Sequence, residues 1–140
     1  MSGGVDAETT RIVKGFEEAT LPRLPHADHV RIAWAYAREL PLLDAIGRIR
    51  EGLRRYAAAR GVPEKYHETV TWAFMVLIHQ RARGTPEASW DAFARANDDL
   101  FDQRVLLRWY HPETLASTLA RETFVLPDGG AVVSRPTMDP

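Results

Sequence analysis

The chain has no cysteine, so disulfide scaffolds, zinc ribbons and thiol catalysis are excluded. It has no apolar run near the roughly 20 residues that span a membrane. Its opening residues, MSGGVDAETTR, lack the charged-then-apolar pattern of a secretory signal, and a cytoplasmic location is the expectation. Neither sign of charge is in excess: 18 Lys and Arg against 19 Asp and Glu leave a net charge of −1. A nucleic-acid or membrane-surface binder normally carries a basic surplus, so neither partner is expected. Histidine is scarce as well, with five in 140 residues.

What is present reads as one helical domain over residues 1–140, with flexible ends at 1–5 and 129–140. Asp6 is a candidate N-cap for a helix carrying Ile12, Val13 and Phe16 on one side. LPRLP interrupts with two prolines, and an extended connector is expected there. HADHVRIAWAYAREL has helical period up to Pro41. PLLDAIGRIREGLRRYAAARG follows with Leu43, Ile46, Ile49, Leu53 and Tyr56 in one stripe and Gly61 as its natural stop. Gly47 and Gly52 lower helix propensity inside it, which points to close approach by another element. Pro63 to Gly84 reads as one central, strongly apolar helix. Ser89 caps SWDAFARAND, residues 100–110 read as helical, and Pro112 opens a last short helix. PDGG in the tail signals either a small hairpin or a strand-like segment lying over the bundle. The expected fold is all-α, a bundle of about five to seven helices with a short extended C-terminal tail.

The chemistry-bearing residues concentrate at two of these helix starts. His26 and His29 sit three apart, with Cβ atoms about 5–6 Å from each other on a helix. Two such imidazoles can reach one metal at about 2.0–2.1 Å. Glu64, His67 and Glu68 open the helix at Pro63, and Glu64-x-x-His67 has the spacing that helical bundles use in carboxylate-bridged di-iron centres. One copy of that motif fits a mononuclear site better than a dinuclear one. The first expectation is therefore a divalent transition metal, zinc, iron, nickel or copper, held by His26, His29 and His67. Glu64 or Glu68 would serve as ligand or general base, activating water, dioxygen or a substrate carbonyl, with Tyr66, Thr71, Trp34 and Trp72 around the pocket. The two helices are separated by one other, so in an up-down bundle their N-termini share an end. Helix N-termini disfavour a cation unless carboxylates such as Asp28, Glu64 and Glu68 offset the dipole.

Blander readings stand beside this one. A histidine at a helix start is common, and HxxH alone is a weak motif. His79 lies too far along its helix to join the group and reads as structural, as does His111 beside Pro112. Arg48, Arg50, Arg54, Arg55 and Arg60 read as a solvated basic face, with contact to an anionic ligand as the lesser reading. The alternatives to a metalloprotein are two. One is a metal-free binder or enzyme acting on an unknown small molecule, with His67 and a glutamate moving protons. The other is a homodimeric interaction module using Trp90, Trp109 and the tail.

The segments HADHVRIAWAY, KYHETVTWAF and YHPETLASTLARETFVLPD together resemble a group of small bacterial all-helical proteins of uncharacterised activity. The resemblance spans residues from about 26 to 128; it implies one helical domain and no mechanism. DinB-like bundles, which hold a metal with histidines from different helices, are an architectural analogy without their sequence pattern.

Overall fold

The computed structural model describes residues 5–129. They form seven α-helices: α1 Ala7–Glu17, α2 His26–Glu39, α3 Leu42–Ala59, α4 Glu68–Gly84, α5 Trp90–Ala96, α6 Pro112–Leu115 and α7 Thr118–Glu122. Among the described residues there is no strand. Local chemistry sets the boundaries. The Asp6 carboxylate accepts the Thr9 amide at 2.6 Å, and Ser89 Oγ accepts that of Ala92 at 3.1 Å, satisfying orphan donors at the starts of α1 and α5. Pro25 and Pro41 sit extended at the starts of α2 and α3. Gly61, at φ +75°, supplies the left-handed residue that ends α3.

Three segments depart from the sequence expectation. The helix expected from Pro63 is broken: Pro63–Lys65 makes a single 3₁₀ turn, Tyr66 is extended, and α4 starts at Glu68. The cause is His67, whose Nδ1 accepts the Val70 amide at 3.1 Å and so acts as an N-cap rather than a second-turn residue. Glu64 and His67 are therefore not an i, i+3 pair on one helix. Residues expected as helix near 100–110 instead make the 3₁₀ runs Asp98–Phe101 and Gln103–Arg108. The last expected helix is divided by Ser117, which caps α7 through Ala120 N–H at 3.0 Å.

Helices α2, α3 and α4 pack on one another, α1 lies against α2 and α3, and α7 lies against α4. The middle of α2 is buried almost all round, with Val30, Ile32, Trp34 and Ala37 at 1% exposure or less. Trp34 packs on Trp90 and Phe93 at ring-centroid distances of 5.4 and 6.2 Å. Trp90 is thus a core residue, and the interaction surface expected around it is left with the partly exposed Trp109.

Of the two α3 glycines, Gly52 has the close neighbour. A Cβ there would overlap the ring of the fully buried Phe16, whereas one at Gly47 would meet nothing within 4 Å. Opposite outcomes follow. Gly47→Ala should raise stability by about 0.5–1 kcal/mol through helix propensity. Gly52→Ala should lower it by about 2 kcal/mol, because overpacking outweighs the same gain. Urea denaturation of the two variants reads both signs.

The arginines of α3 do more than coat the surface. Arg50 binds Glu68, Arg55 donates to the Glu17 carbonyl, and Arg60 donates to the Leu21 and Pro22 carbonyls. Arg50 ties α3 to α4, and Arg55 and Arg60 fasten α1 and the α1–α2 connector to the bundle. A second apolar cluster, Val105, Leu106 and Tyr110, seats the C-terminal segment on α4. Thr69, fully buried, donates its hydroxyl to the Thr123 carbonyl at 2.9 Å and accepts the Val125 amide at 3.1 Å. The Tyr110 hydroxyl donates to the Val125 carbonyl at 2.8 Å, and Phe124 stacks on Trp72. Residues 124–129 therefore lie over the bundle, and the second arm of the expected hairpin lies outside the described residues.

Candidate functional site

At the shared end of α2 and α4 lies a cavity of about 590 Å³. It is within the size range of small-molecule sites, about 300–1,000 Å³. Its walls are mainly apolar: Val30 and Ala33 from α2, Ile49 and Leu53 from α3, Phe74 and Met75 from α4. The core does not close here because α4 starts late. With residues 63–67 spent on a 3₁₀ turn and an extended step, the loop after α3 forms a rim instead of a packed helical turn. Arg60, Lys65 and Gln103 are exposed side chains on that lining.

His26, His29, His67, Tyr66 and Thr71 all line this cavity, although His26 and His67 are 41 positions apart in the chain. Their ring nitrogens are in different states. His67 Nδ1 accepts from Val70, so the proton sits on Nε2, which donates to the Leu115 carbonyl at 2.7 Å. Both nitrogens are engaged, and the ring ties α4 to α6. His26 Nε2 donates to the Leu100 carbonyl at 2.8 Å, which leaves Nδ1 as an acceptor in the neutral ring. His29 differs from both. Burial, and then the neighbouring His26, push its pKa down to about 4, and among the described residues its ring has no hydrogen-bond partner. The His26 and His29 rings lie edge to face at 6.2 Å between centroids. His79, read as structural, donates Nε2 to the Leu40 carbonyl at 2.9 Å.

The other expected site residues are placed elsewhere. Glu68 lines a separate polar recess with Glu64, Arg54, Arg55 and Arg121. Its carboxylate gathers three donors: Arg50 Nε at 3.0 Å, the Tyr66 hydroxyl at 2.7 Å and Trp72 Nε1 at 3.2 Å. Burial alone would raise that carboxyl, but the Tyr66 and Arg50 hydrogen bonds outweigh it and hold it below the usual carboxylate range. Burial also raises the Tyr66 phenol, and its bond to Glu68 adds to the effect. Trp72 takes its place between Glu68 and Phe124, and Trp34 is buried in the core. Among the described residues no three His, Asp or Glu side chains converge in a metal-binding arrangement.

Sequence reasoning missed several lining residues. Val70 and Phe74 were recoverable, because i, i+3 and i, i+7 from His67 lie on one helical face. Arg60 and Lys65 carried a weaker signal: they flank the Gly61–Pro63 break that shapes the rim. Gln103 carried none.

Comparison with family models, curated proteins and solved structures finds no match. What the cavity can do therefore follows from its own atoms. An uncharged imidazole offers one donor and one acceptor, and apolar walls exclude water from much of the space around it. Among the described residues no helix is long and apolar enough to cross a membrane.

Proposed function

We propose that the cavity at the α2–α4 end binds a small, largely apolar molecule, with His29 as its polar contact. The observation that carries this reading is the placement of the His29 imidazole on the cavity wall without a hydrogen-bond partner among the described residues, in surroundings whose burial favours the uncharged ring. Its ring nitrogens keep some solvent contact, since among the described residues the buried side-chain polar atom without a partner is Trp34 Nε1, so a ligand that displaces that water has to replace its hydrogen bonds. A ligand hydroxyl can donate to the acceptor nitrogen of the ring or accept from its N–H, a ligand carbonyl can accept from the N–H, and His26 lines the same cavity beside it. Thr71 is not free to help as a donor, since its hydroxyl is given to the His67 carbonyl at 2.8 Å.

The test uses 1-octanol as probe, followed by ligand-observed NMR on the full chain. Ala33→Phe and Val62→Phe each place a ring in the cavity, one from α2 and one from the rim. Saturable binding to the wild type, weakened at least about tenfold in either folded variant, supports the reading; a buried side chain's worth of lost apolar contact is enough for that change. Absence of saturable binding, or two folded variants that bind as the wild type does, overturns it.

A second reading keeps the metal and rests on the pairing of His26 and His29. One divalent transition metal between His26 Nδ1 and His29 would take two imidazoles, with water or a ligand completing its shell. Glu68 would have to leave Arg50, Tyr66 and Trp72 to join it, and Glu64 would have to turn from the separate recess that it lines. Elemental analysis of untagged protein decides: stoichiometric metal, lost in His26→Ala/His29→Ala, favours this reading over the first.

A further inference from the structure

Resting on the cavity reading above, we infer that the ligand is an amphiphilic anion: besides the polar group that meets His29, its apolar chain ends in one carboxylate, whose charge is met at the rim by Lys65 and Arg60. The charge inventory of the lining carries the inference. Its two basic side chains, Arg60 and Lys65, are exposed, and among the described residues no aspartate or glutamate lines the cavity. Several arginines elsewhere meet carboxylates, Arg31 with Asp6, Arg50 with Glu68, Arg81 and Arg108 with Asp99, while Arg38, Arg55 and Arg83 donate to backbone carbonyls away from this lining. Lys65 and Arg60 form no such ion pair among the described residues. The hydrogen bonds of Arg60 go to neutral oxygens, the Leu21 and Pro22 carbonyls and the Tyr56 hydroxyl, so its charge stays uncompensated.

Nearby acids do not cancel this field. Glu64, next to Lys65 in sequence, lines the polar recess instead. Asp102, which interacts with His26, is held by Arg104 at 3.1 Å. A carboxylate at the rim therefore meets two unmatched cations, while its chain replaces water along Val30, Leu53 and Phe74. An ammonium head meets like charge in the same place. A neutral head keeps the apolar contacts and gains no ion pair.

The experiment compares octanoate, 1-octanol and octylamine on the full chain at pH 7.5 and low salt. The wild type should bind octanoate about tenfold more tightly than 1-octanol, the scale of one charge-assisted hydrogen bond, and octylamine most weakly. Lys65→Gln should remove most of that preference, and Lys65→Glu should invert it in favour of octylamine. Both substitutions sit on an exposed residue, so folding is not at stake. A second readout uses the fact that Lys14 and Lys65 are the two lysines of the chain. After reductive ¹³C-methylation, which keeps the charge, the Lys65 signal should move with octanoate and that of Lys14 should stay. Octanoate binding no more tightly than 1-octanol, or a preference unchanged in both Lys65 variants, overturns the anion assignment while the apolar cavity stands. Failure of all three probes to bind overturns the cavity reading and this inference together.

Discussion

Replacing Glu68 by alanine should cost about 3 kcal/mol of stability and lower Tm by about 10 °C. The size comes from what the carboxylate holds. Its side chain is 12% exposed and receives hydrogen bonds from Arg50, Tyr66 and Trp72, so its loss strands a half-buried hydroxyl and indole N–H and leaves a guanidinium without its counter-charge. An isolated surface ion pair would be worth at most about 1 kcal/mol. Glu68→Gln keeps the shape and one acceptor oxygen, and should cost about half as much. Thermal melts of the two variants check the order. The effect should reach the cavity as well. Tyr66 is fixed by Glu68 on one side and lines the cavity on the other, so the Ala variant should loosen the rim and weaken 1-octanol binding along with stability.

Acidification from pH 6.5 to 4 should remove about 2–3 kcal/mol of stability through His29 alone. The sign follows from linkage. In the unfolded chain this imidazole takes up its proton near pH 6.5, while in the folded protein burial and His26 hold its pKa down to about 4. Between those values the unfolded state binds more protons, so stability rises with pH across the window and its loss is complete below about pH 4. His29→Leu should flatten that limb. The carboxylates act in a different range. Glu68, Asp6 and Asp99 have pKa values below their ordinary ones, so their contribution is present at neutral pH and is lost only below about pH 4.5. A plot of unfolding free energy against pH for wild type and His29→Leu separates the two. The curves should diverge between pH 6.5 and 4 and run parallel below.

Much of this fold was legible because short-range chemistry dictates it. Asp6, Ser89 and Gly61 mark helix ends by capping, which needs no tertiary information. Gly52 announced a close contact through its cost to helix propensity, yet Gly47, with the same cost, has open space beside it. Sequence period cannot tell a glycine that a neighbour requires from one that it does not. The gathering of His26, His29 and His67 onto one cavity was also readable, from two helix starts separated by one helix. Their chemical states were not. His67 gives its Nε2 proton to a carbonyl 48 positions away and His26 to one 74 positions away, and these bonds decide which nitrogens remain open. His67 also caps its own helix, which moved the start of α4 and sent Glu64 and Glu68 to a different recess. Trp34 was expected at a pocket and lies in the core, because α2 is covered on nearly every side by α1, α3, α4 and α5.

Everything functional depends on His29 offering its ring to a guest in the α2–α4 cavity. Long-range ¹H–¹⁵N spectra of the imidazoles, recorded at pH 7 with and without saturating 1-octanol, observe that ring directly. The expected result is a neutral His29 whose nitrogen shifts move on addition of the probe, while His67, with both nitrogens held by the protein, stays in place. A His29 ring that is protonated at pH 7, or whose signals do not respond to the probe, would contradict the account.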